Sequence, residues 1–276
     1  MLDSYLSLQE HNVSTVFMTG SHPRHAAMAR AVAQSGSLTA LVIEEREVHV
    51  PAPPLGLAED LTALFNTHFE RRASSEDHFF GRNGELPDVP TLCVTREELN
   101  SPKVLHWLEQ YSPDLLLSYG VHILTPGILA TARRAAWNIH GGLSPWYRGT
   151  ATHFWPSYLL QPQFTGMTLH DTIASVDAGA IVHQSAAELV RGDGLHDLSC
   201  RAVLSLMSDI SAVITKFYSG VTLEKKPQTT SGRIWRTADW RPDHLRLIYE
   251  HFNDSVVNYY LDGRLQHEDP SLYRQL

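Results

Sequence analysis

The chain has 276 residues, 43% hydrophobic and 19% charged, with a formal net charge of −8. That length suits one large domain or a domain with an appendage, and the acidic balance argues against a broad nucleic-acid footprint. Two cysteines with no C-x-x-C pair disfavour a zinc knuckle or dithiol site, and no apolar run approaches the length of a membrane span.

Met1 to Asn12 is polar and lacks the apolar core of a secretory signal, so a cytoplasmic protein without a membrane segment is expected. Val13 to Met18 reads as a strand. A helix follows from Pro23 to Gln34, with proline in its first turn and Gly36 past its end. Leu38 to Ile43 is the next strand, and Leu57 to about Phe80 a charged helix whose part from Phe69 to Phe80 suits either covering a site or a solvated face. Thr91 to Val94 is a strand in which Cys93 is expected to be a buried thiol. Then come a helix from Pro102 to Tyr111, a strand from Leu115 to Ser118, a helix from Pro126 to Arg134 and a strand from Ala135 to Ile139. This alternation predicts a doubly wound, mostly parallel α/β sheet.

The pattern changes after Thr150. Ala151 to Leu160 suits a helix. Phe164 to Ala174 and Gly179 to Leu189 alternate like two strands joined through Ser175-Val176-Asp177-Ala178. Leu195 to Tyr218 is a long helix. The chain thus divides into a main domain, residues 1–220, and a small packed segment, residues 221–276. That segment's predicted helix, Pro242 to Tyr260, carries Leu245, Ile248, Phe252 and Val256 on one stripe.

Asn138 and His140 end a strand two residues apart, so their side chains share a face. Together they offer an amide donor for a developing oxyanion and a group that moves a proton near neutral pH. Asp177 follows the strand that holds His170; a carboxylate beside His140 would hold and polarise the imidazole. In a parallel sheet the loops at Gly20, Gly120 and His140 converge on one edge, where ligands bind. Arg24 and His25, at a helix start, suit a phosphate. The GxGxxG fingerprint is missing, which disfavours a dinucleotide. Trp146, Trp155, Trp235 and Trp240 suit either base stacking or packing.

Four motifs extend these readings: Asn138-Ile139-His140, Leu143-Ser144-Pro145-Trp146-Tyr147-Arg148-Gly149, Gly166-Met167-Thr168-Leu169-His170 and Val176-Asp177-Ala178-Gly179-Ala180-Ile181. Together they resemble the folate-dependent formyltransferases, most closely those acting on nucleotide-linked amino sugars. The resemblance implies a Rossmann-like domain and 10-formyltetrahydrofolate as formyl donor, with no metal. It implies Asn138 as oxyanion donor, His140 as general acid/base, and Asp177 as the group that orients His140 and relays the proton. It assigns the pterin to Gly120, Val121, His122, Ile123 and Leu124, with His170 and Val176, and makes His122 a rim residue. One departure stands out. The family commonly reads His-Pro-Ser where this chain has His140-Gly141-Gly142, which is expected to loosen the loop; the sequence leaves open whether the peptide before Pro145 is cis or trans.

The acceptor implied is a small molecule, a nucleotide sugar, met by Tyr147, Arg148 and Gly149 together with Arg24 and His25; Arg148 suits a diphosphate or a loop-anchoring ion pair. Residues 221–276 carry eight basic side chains (Lys225, Lys226, Arg233, Arg236, Arg241, Arg246, Arg264 and Arg274) against eight acidic ones. That balance is poor for gripping nucleic acid. A homodimer is compatible with the resemblance. Transfer to another amine (a modified amino acid, glycinamide ribonucleotide or methionyl-tRNA), hydrolysis of the formyl donor, and folate or nucleotide binding without turnover remain rival readings.

Overall fold

The computed structural model describes residues 13–46, 50–82, 84–229, 233–266 and 268–276. The polar stretch Met1 to Asn12 lies outside them. Strands β1 (Thr15–Gly20), β2 (Leu38–Glu44), β3 (Thr91–Val94), β4 (Leu115–Tyr119), β5 (Ala135–His140), β7 (Gly166–Asp171) and β8 (Ile181–Ala186) form one sheet in the order β3-β2-β1-β4-β5-β7-β8. The first five are parallel and the last two antiparallel, giving the mostly parallel sheet expected.

The period-two pattern splits the strands between two cores. Phe17, Leu41, Ile43, Leu117, Trp137, Ile139, Met167 and Leu169 face helices α1 (Pro23–Ala33), α2 (Glu59–Phe80) and α6 (Leu195–Tyr218). Val16, Met18, Val42 and Leu116 face α3 (Pro102–Tyr111) and α4 (Pro126–Leu129). On β5 this second core stops at Ala136. Asn138 and His140, on the same face, therefore stand on a part of the sheet that no helix needs, and polar side chains are tolerated there. Helix α6 has an 18-residue window of mean hydropathy 1.4, long and apolar enough by composition to cross a membrane. Its residues Val203, Leu206, Ile210 and Val213 are instead consumed by the first core.

Four expectations are corrected. Cys93 is exposed, because β3 is an edge strand with a neighbour on one side only. The predicted helix Pro126–Arg134 stops at Leu129; Arg133 and Arg134 instead donate backbone hydrogen bonds to the carbonyls of Pro113 and Asp114, which aligns the chain for β5. The predicted helix Ala151–Leu160 shrinks to α5 (Trp155–Tyr158), bounded by Ala151 and Leu160 at positive φ. The predicted helix Pro242–Tyr260 is broken into a 3-10 turn (Pro242–His244), a π-turn (Leu247–His251) and α7 (Val256–Leu261). The break places Asp254, at φ 54°, against the start of α6, where its carboxylate accepts the Leu195 N–H (2.9 Å) and Arg71 (2.7 Å). Anion placement at a helix N-terminus accounts for the diversion.

The stripe Leu245, Ile248, Phe252 and Val256 is buried all the same, with Phe154, Trp155 and Trp235. Trp235 stacks on Trp155 at 4.0 Å between ring centres. Two-residue strands β6 (Arg148–Gly149) and β9 (Ile234–Trp235) join this segment to the loop after β5.

Candidate functional site

Register brings the site residues together. Asn138 lies opposite His170 and His140 opposite Thr168 across the β5–β7 pair. Ser118 on β4 donates to Asn138 Oδ1 (3.0 Å), which fixes the amide and turns its NH2 towards His170 Nε2 at 3.2 Å. His170 Nδ1 donates to the Asp171 carbonyl at 2.8 Å, so Nε2 presents a lone pair to Asn138. Asp177 completes the group. Its Oδ2 lies 3.3 Å from His140 Nδ1, and its Oδ1 lies 3.5 Å from His170 Nε2. The Gly149 N–H donates to Oδ2 at 2.9 Å.

His140 sits between two acceptors. Nε2 donates to the Tyr147 carbonyl at 2.9 Å, and Nδ1 faces the carboxylate. Only the imidazolium donates to both. Burial nevertheless lowers the ring's proton affinity, with Asp177 working against it, and the balance falls below the ordinary value. Burial acts on Asp177 in the opposite sense, raising it; His140, His170 and the Gly149 N–H outweigh that and hold the carboxyl at about 2. At neutral pH the resting pair is thus a carboxylate beside a neutral imidazole, and a proton arriving at Nδ1 meets a waiting anion.

The loop after His140 is tightly held. The Ser144 N–H donates to Thr168 Oγ1 (2.9 Å), Thr168 Oγ1 donates to the Gly142 carbonyl (2.7 Å), and Gln184 Nε2 donates to the Ser144 carbonyl (2.6 Å). The Ser144–Pro145 peptide is cis. A Cβ on Gly142 would lie 2.6 Å from the Tyr147 carbonyl and 2.7 Å from His140 Nε2. Gly142 thus makes room for a close approach, rather than slack.

A cavity of about 510 Å³ opens on the other side of the strand ends, between α1, α2 and α6. It reaches β4 and β5 at Gly120 and Gly141, and is walled by Arg24, Glu76, Phe154, His196 and Trp240 among others. Arg24 and His25 do reach this cavity, but Arg24 is paired with Glu76 (2.6 Å) and His25 Nδ1 accepts the His22 N–H (3.1 Å). Arg148 is buried on β6, near enough to His140 to affect its titration. The Tyr147 phenol points away, donating to Gln161 at 2.8 Å, so this residue meets the site through its carbonyl.

The loop 121–124 lies beyond β4. Glu44, fully buried at the end of β2, accepts the His122 N–H (2.8 Å) and contacts the His122 ring, which Arg46 also meets (2.9 Å). Asn100 donates to the Ile123 carbonyl (3.0 Å). The amides of Val121, Ile123 and Leu124 have no hydrogen-bond partner among the described residues. Ile123, Ile173 and Val176 are exposed apolar side chains. A flat, polar-edged ring fits an arrangement of open amides and apolar surface.

Several site-lining residues were not singled out one by one in the sequence, although Arg72 and Glu76 lie in the helix expected to cover a site. His68, Arg72 and Glu76 recur every four residues along α2 and so share one face, a polar stripe the spacing alone would reveal. Ser118 and His153 carry no comparable signal. His153 lies against Gly141, donates through Nε2 to the Gly166 carbonyl (3.1 Å), and is pushed down to about 4 by burial. Deeper in the wall, His68 Nδ1 accepts from Tyr249 (2.9 Å) and from His196 (3.2 Å). Burial, helped by Arg72, pushes His68 down to about 3. Its folded value is depressed, so its contribution to stability is present above pH 6.5 and is lost as the pH falls towards 3. Each pH unit in that window costs about 1.4 kcal/mol. Thermal denaturation between pH 7 and pH 4 should show a falling Tm, with a shallower fall in His68→Phe; equal slopes would refute this assignment.

The family profile described as formyl transferase matches residues 5–204. The fold is similar to a sugar N-formyltransferase from a Shewanella species: TM-score 0.53, 16% identity, over 85% of this chain and 87% of that one. It is similar to phosphoribosylglycinamide formyltransferase from Anaplasma phagocytophilum: TM-score 0.53, 17% identity, over 83% and 99%. It is also similar to the formyltransferase PseJ from Anoxybacillus kamchatkensis, solved with UDP-4,6-dideoxy-4-formamido-L-AltNAc and tetrahydrofolate: TM-score 0.51, 15% identity, over 91% and 98%. At these identities the solved structures share the fold. With the profile spanning most of the sequence, the chain belongs to the formyl transferase family.

Proposed function

We propose that the protein transfers a formyl group from 10-formyltetrahydrofolate to the primary amine of a small acceptor, a nucleotide-linked amino sugar. The observation that carries this reading is the chain Asn138–His170–Asp177–His140 at a strand end, with the cavity on one side and the 121–124 loop on the other. The pterin would lie along the amides of Val121, Ile123 and Leu124 and against Val176, and the acceptor would fill the cavity. Amine and formyl carbon then meet beside Gly141.

The donor supplies an electrophilic formyl carbonyl. As the amine attacks, the carbonyl electron pair moves to oxygen, and the Asn138 N–H not used by His170 stabilises it. The proton shed by the amine passes to His140 Nδ1 through Asp177 or a water, and returns to the departing nitrogen. The products are a formamide and tetrahydrofolate. His153 presents an uncharged nitrogen, Nδ1, with no hydrogen-bond partner among the described residues. It suits accepting an N–H from the incoming amine.

The choice of a nucleotide sugar rests on the cavity's chemistry, in which the aromatic faces of Phe69, Phe154 and Trp240 accompany Arg24 and Arg72. Incubating the protein with 10-formyltetrahydrofolate and a panel of uridine-, thymidine- and guanosine-diphosphate amino sugars should release tetrahydrofolate only when a matching amine is present. Release without amine would replace this reading with hydrolysis. Silence with every acceptor, glycinamide ribonucleotide included, would leave a binding protein.

A further inference from the structure

Asp177 occupies an unusual backbone position. Its φ is 46°, in the left-handed region that disfavours a residue with a β-carbon, at a cost on the order of 1 kcal/mol. Within its own turn the only backbone hydrogen bond is a long one, from Ala178 N–H to the Ser175 carbonyl at 3.4 Å. Something else must hold the carboxylate within 3.3 Å of His140.

The segment after α6 does so from two directions. Lys226 pairs with Ile181, exchanging N–H···O bonds of 2.8 and 2.9 Å, and Lys225 Nζ donates to Asp171 (2.7 Å). These contacts close the base of the loop. Two residues on, Gln228 Nε2 sits between two carbonyls, donating to Asp177 O (2.9 Å) and Gly179 O (2.7 Å). The alternative amide orientation would set oxygen against two oxygens, so the donor assignment is forced. Gly179 packs closely on the Asp171 carbonyl, where a Cβ would lie only 1.7 Å away. The second direction is β9. Trp235 O accepts the Thr150 N–H (2.9 Å) and packs directly on Gly149, whose own N–H reaches the Asp177 carboxylate. The main chain and the side chain of Asp177 are thus both gripped, directly or at one remove, by Lys225, Lys226, Gln228 and Trp235.

We infer that Lys225, Lys226, Gln228 and Trp235 brace the aspartate, and that Gln228 is the positioning residue, fixing the distance between Asp177 and His140. The inference deepens the formyl-transfer reading and rests on the role given there to Asp177. Gln228 touches neither ring of the site; it acts through the peptide carbonyls on either side of Ala178.

The test uses the full chain with 13C-labelled histidine, assigned by His140→Asn, and follows the His140 ring through a pH titration by NMR. Asp177 supports the proton on His140, so moving the carboxylate away lowers the ring's titration midpoint. Gln228→Ala should lower it by about half a pH unit or more, and Asp177→Asn by more still. The double variant should match Asp177→Asn alone. Gln228→Glu keeps the length and loses the donor, so it should behave as Gln228→Ala and stands in should that variant fold poorly. With 10-formyltetrahydrofolate and an amine that turns over, Gln228→Ala should lower kcat about tenfold with both KM values within about twofold. A His140 midpoint unmoved in both Gln228 variants but shifted in Asp177→Asn overturns the brace. A lowered Tm with unchanged midpoint and kcat does the same, reducing Gln228 to a packing residue. A midpoint unmoved in Asp177→Asn overturns the role of Asp177 itself.

Discussion

Replacing Asp177 with asparagine should lower kcat about a thousandfold while leaving donor binding within about threefold of wild type. The substitution is sterically mild. The amide oxygen takes the place of Oδ2 and accepts the Gly149 N–H, and the NH2 faces the lone pair on His170 Nε2. What disappears is the negative charge beside His140 Nδ1, which offsets the effect of burial on that ring. A neutral imidazole with no anion to receive the proton is a poor base in a dry site. The same loss reads out in stability. The wild-type carboxyl is held at about 2 against an ordinary 3.8, so its stabilising effect is present above pH 3.8 and vanishes as the pH falls to about 2. The variant should be less stable at pH 7, with the gap closing over that acid window. His140→Asn should show the same loss of turnover. Steady-state kinetics beside fluorescence titration with the donor decides the matter; turnover near wild type in either variant removes the proposed mechanism.

Gly142→Ala should cost at least about a hundredfold in kcat, although it adds a single methyl group. That methyl would land 2.6 Å from the Tyr147 carbonyl, 2.7 Å from His140 Nε2 and 2.8 Å from Thr152 Cβ. None of these is the free end of a flexible chain. The Tyr147 carbonyl and the His140 ring have to part, and the ring loses the bond that sets its orientation. Displacements of about 1 Å at a reacting group cost rates of this order. At Gly141 a methyl would meet only the His153 ring at 3.5 Å, an ordinary contact, so Gly141→Ala should leave the bond from His140 to the Tyr147 carbonyl in place. An equal shift of the His140 NMR titration midpoint in the two variants would show that loop flexibility, and not the crowding at His140, is what Gly142 provides.

The contrast between these glycines shows where sequence reasoning reached and where it stopped. The meeting of Asn138, His140 and Asp177 was legible because it depends on local rules: period two on β5, and a hairpin that brings Asp177 back past the same strand end. The meaning of Gly141-Gly142 was not, because it depends on the Tyr147 carbonyl folding back over Gly142. Cys93 was misread because an apolar run does not say which strand lies at the edge. The helix predicted over Pro242–Tyr260 was misread because the stripe is real but Asp254 has a competing obligation at the start of α6. The cavity wall is assembled from α1, α2, α6 and Trp240, segments far apart in the chain; the sequence pointed to Arg24, His25, Trp240 and the charged helix one by one, but not to their meeting around one cavity.

The outer rim of β8 has its own consequence. Beyond Lys226 at Ile181, the Gln184 N–H donates to the Tyr273 carbonyl (2.8 Å), the Gln275 N–H donates to the His183 ring (3.0 Å), and the Gln275 side chain reaches the Val182 carbonyl (2.9 Å). The margin is therefore occupied from Ile181 to Gln184, which blocks most of its length to strand addition. Its opposite margin, β3, offers four residues only. Among the described residues, neither margin of the seven-stranded sheet offers a long open ladder, which turns a pairing of two copies towards helix or loop surfaces. Removing Ser271 to Leu276 would free the Val182 carbonyl and the Gln184 N–H and leave a sticky stretch on that rim, with the Lys226 pairing at Ile181 still in place.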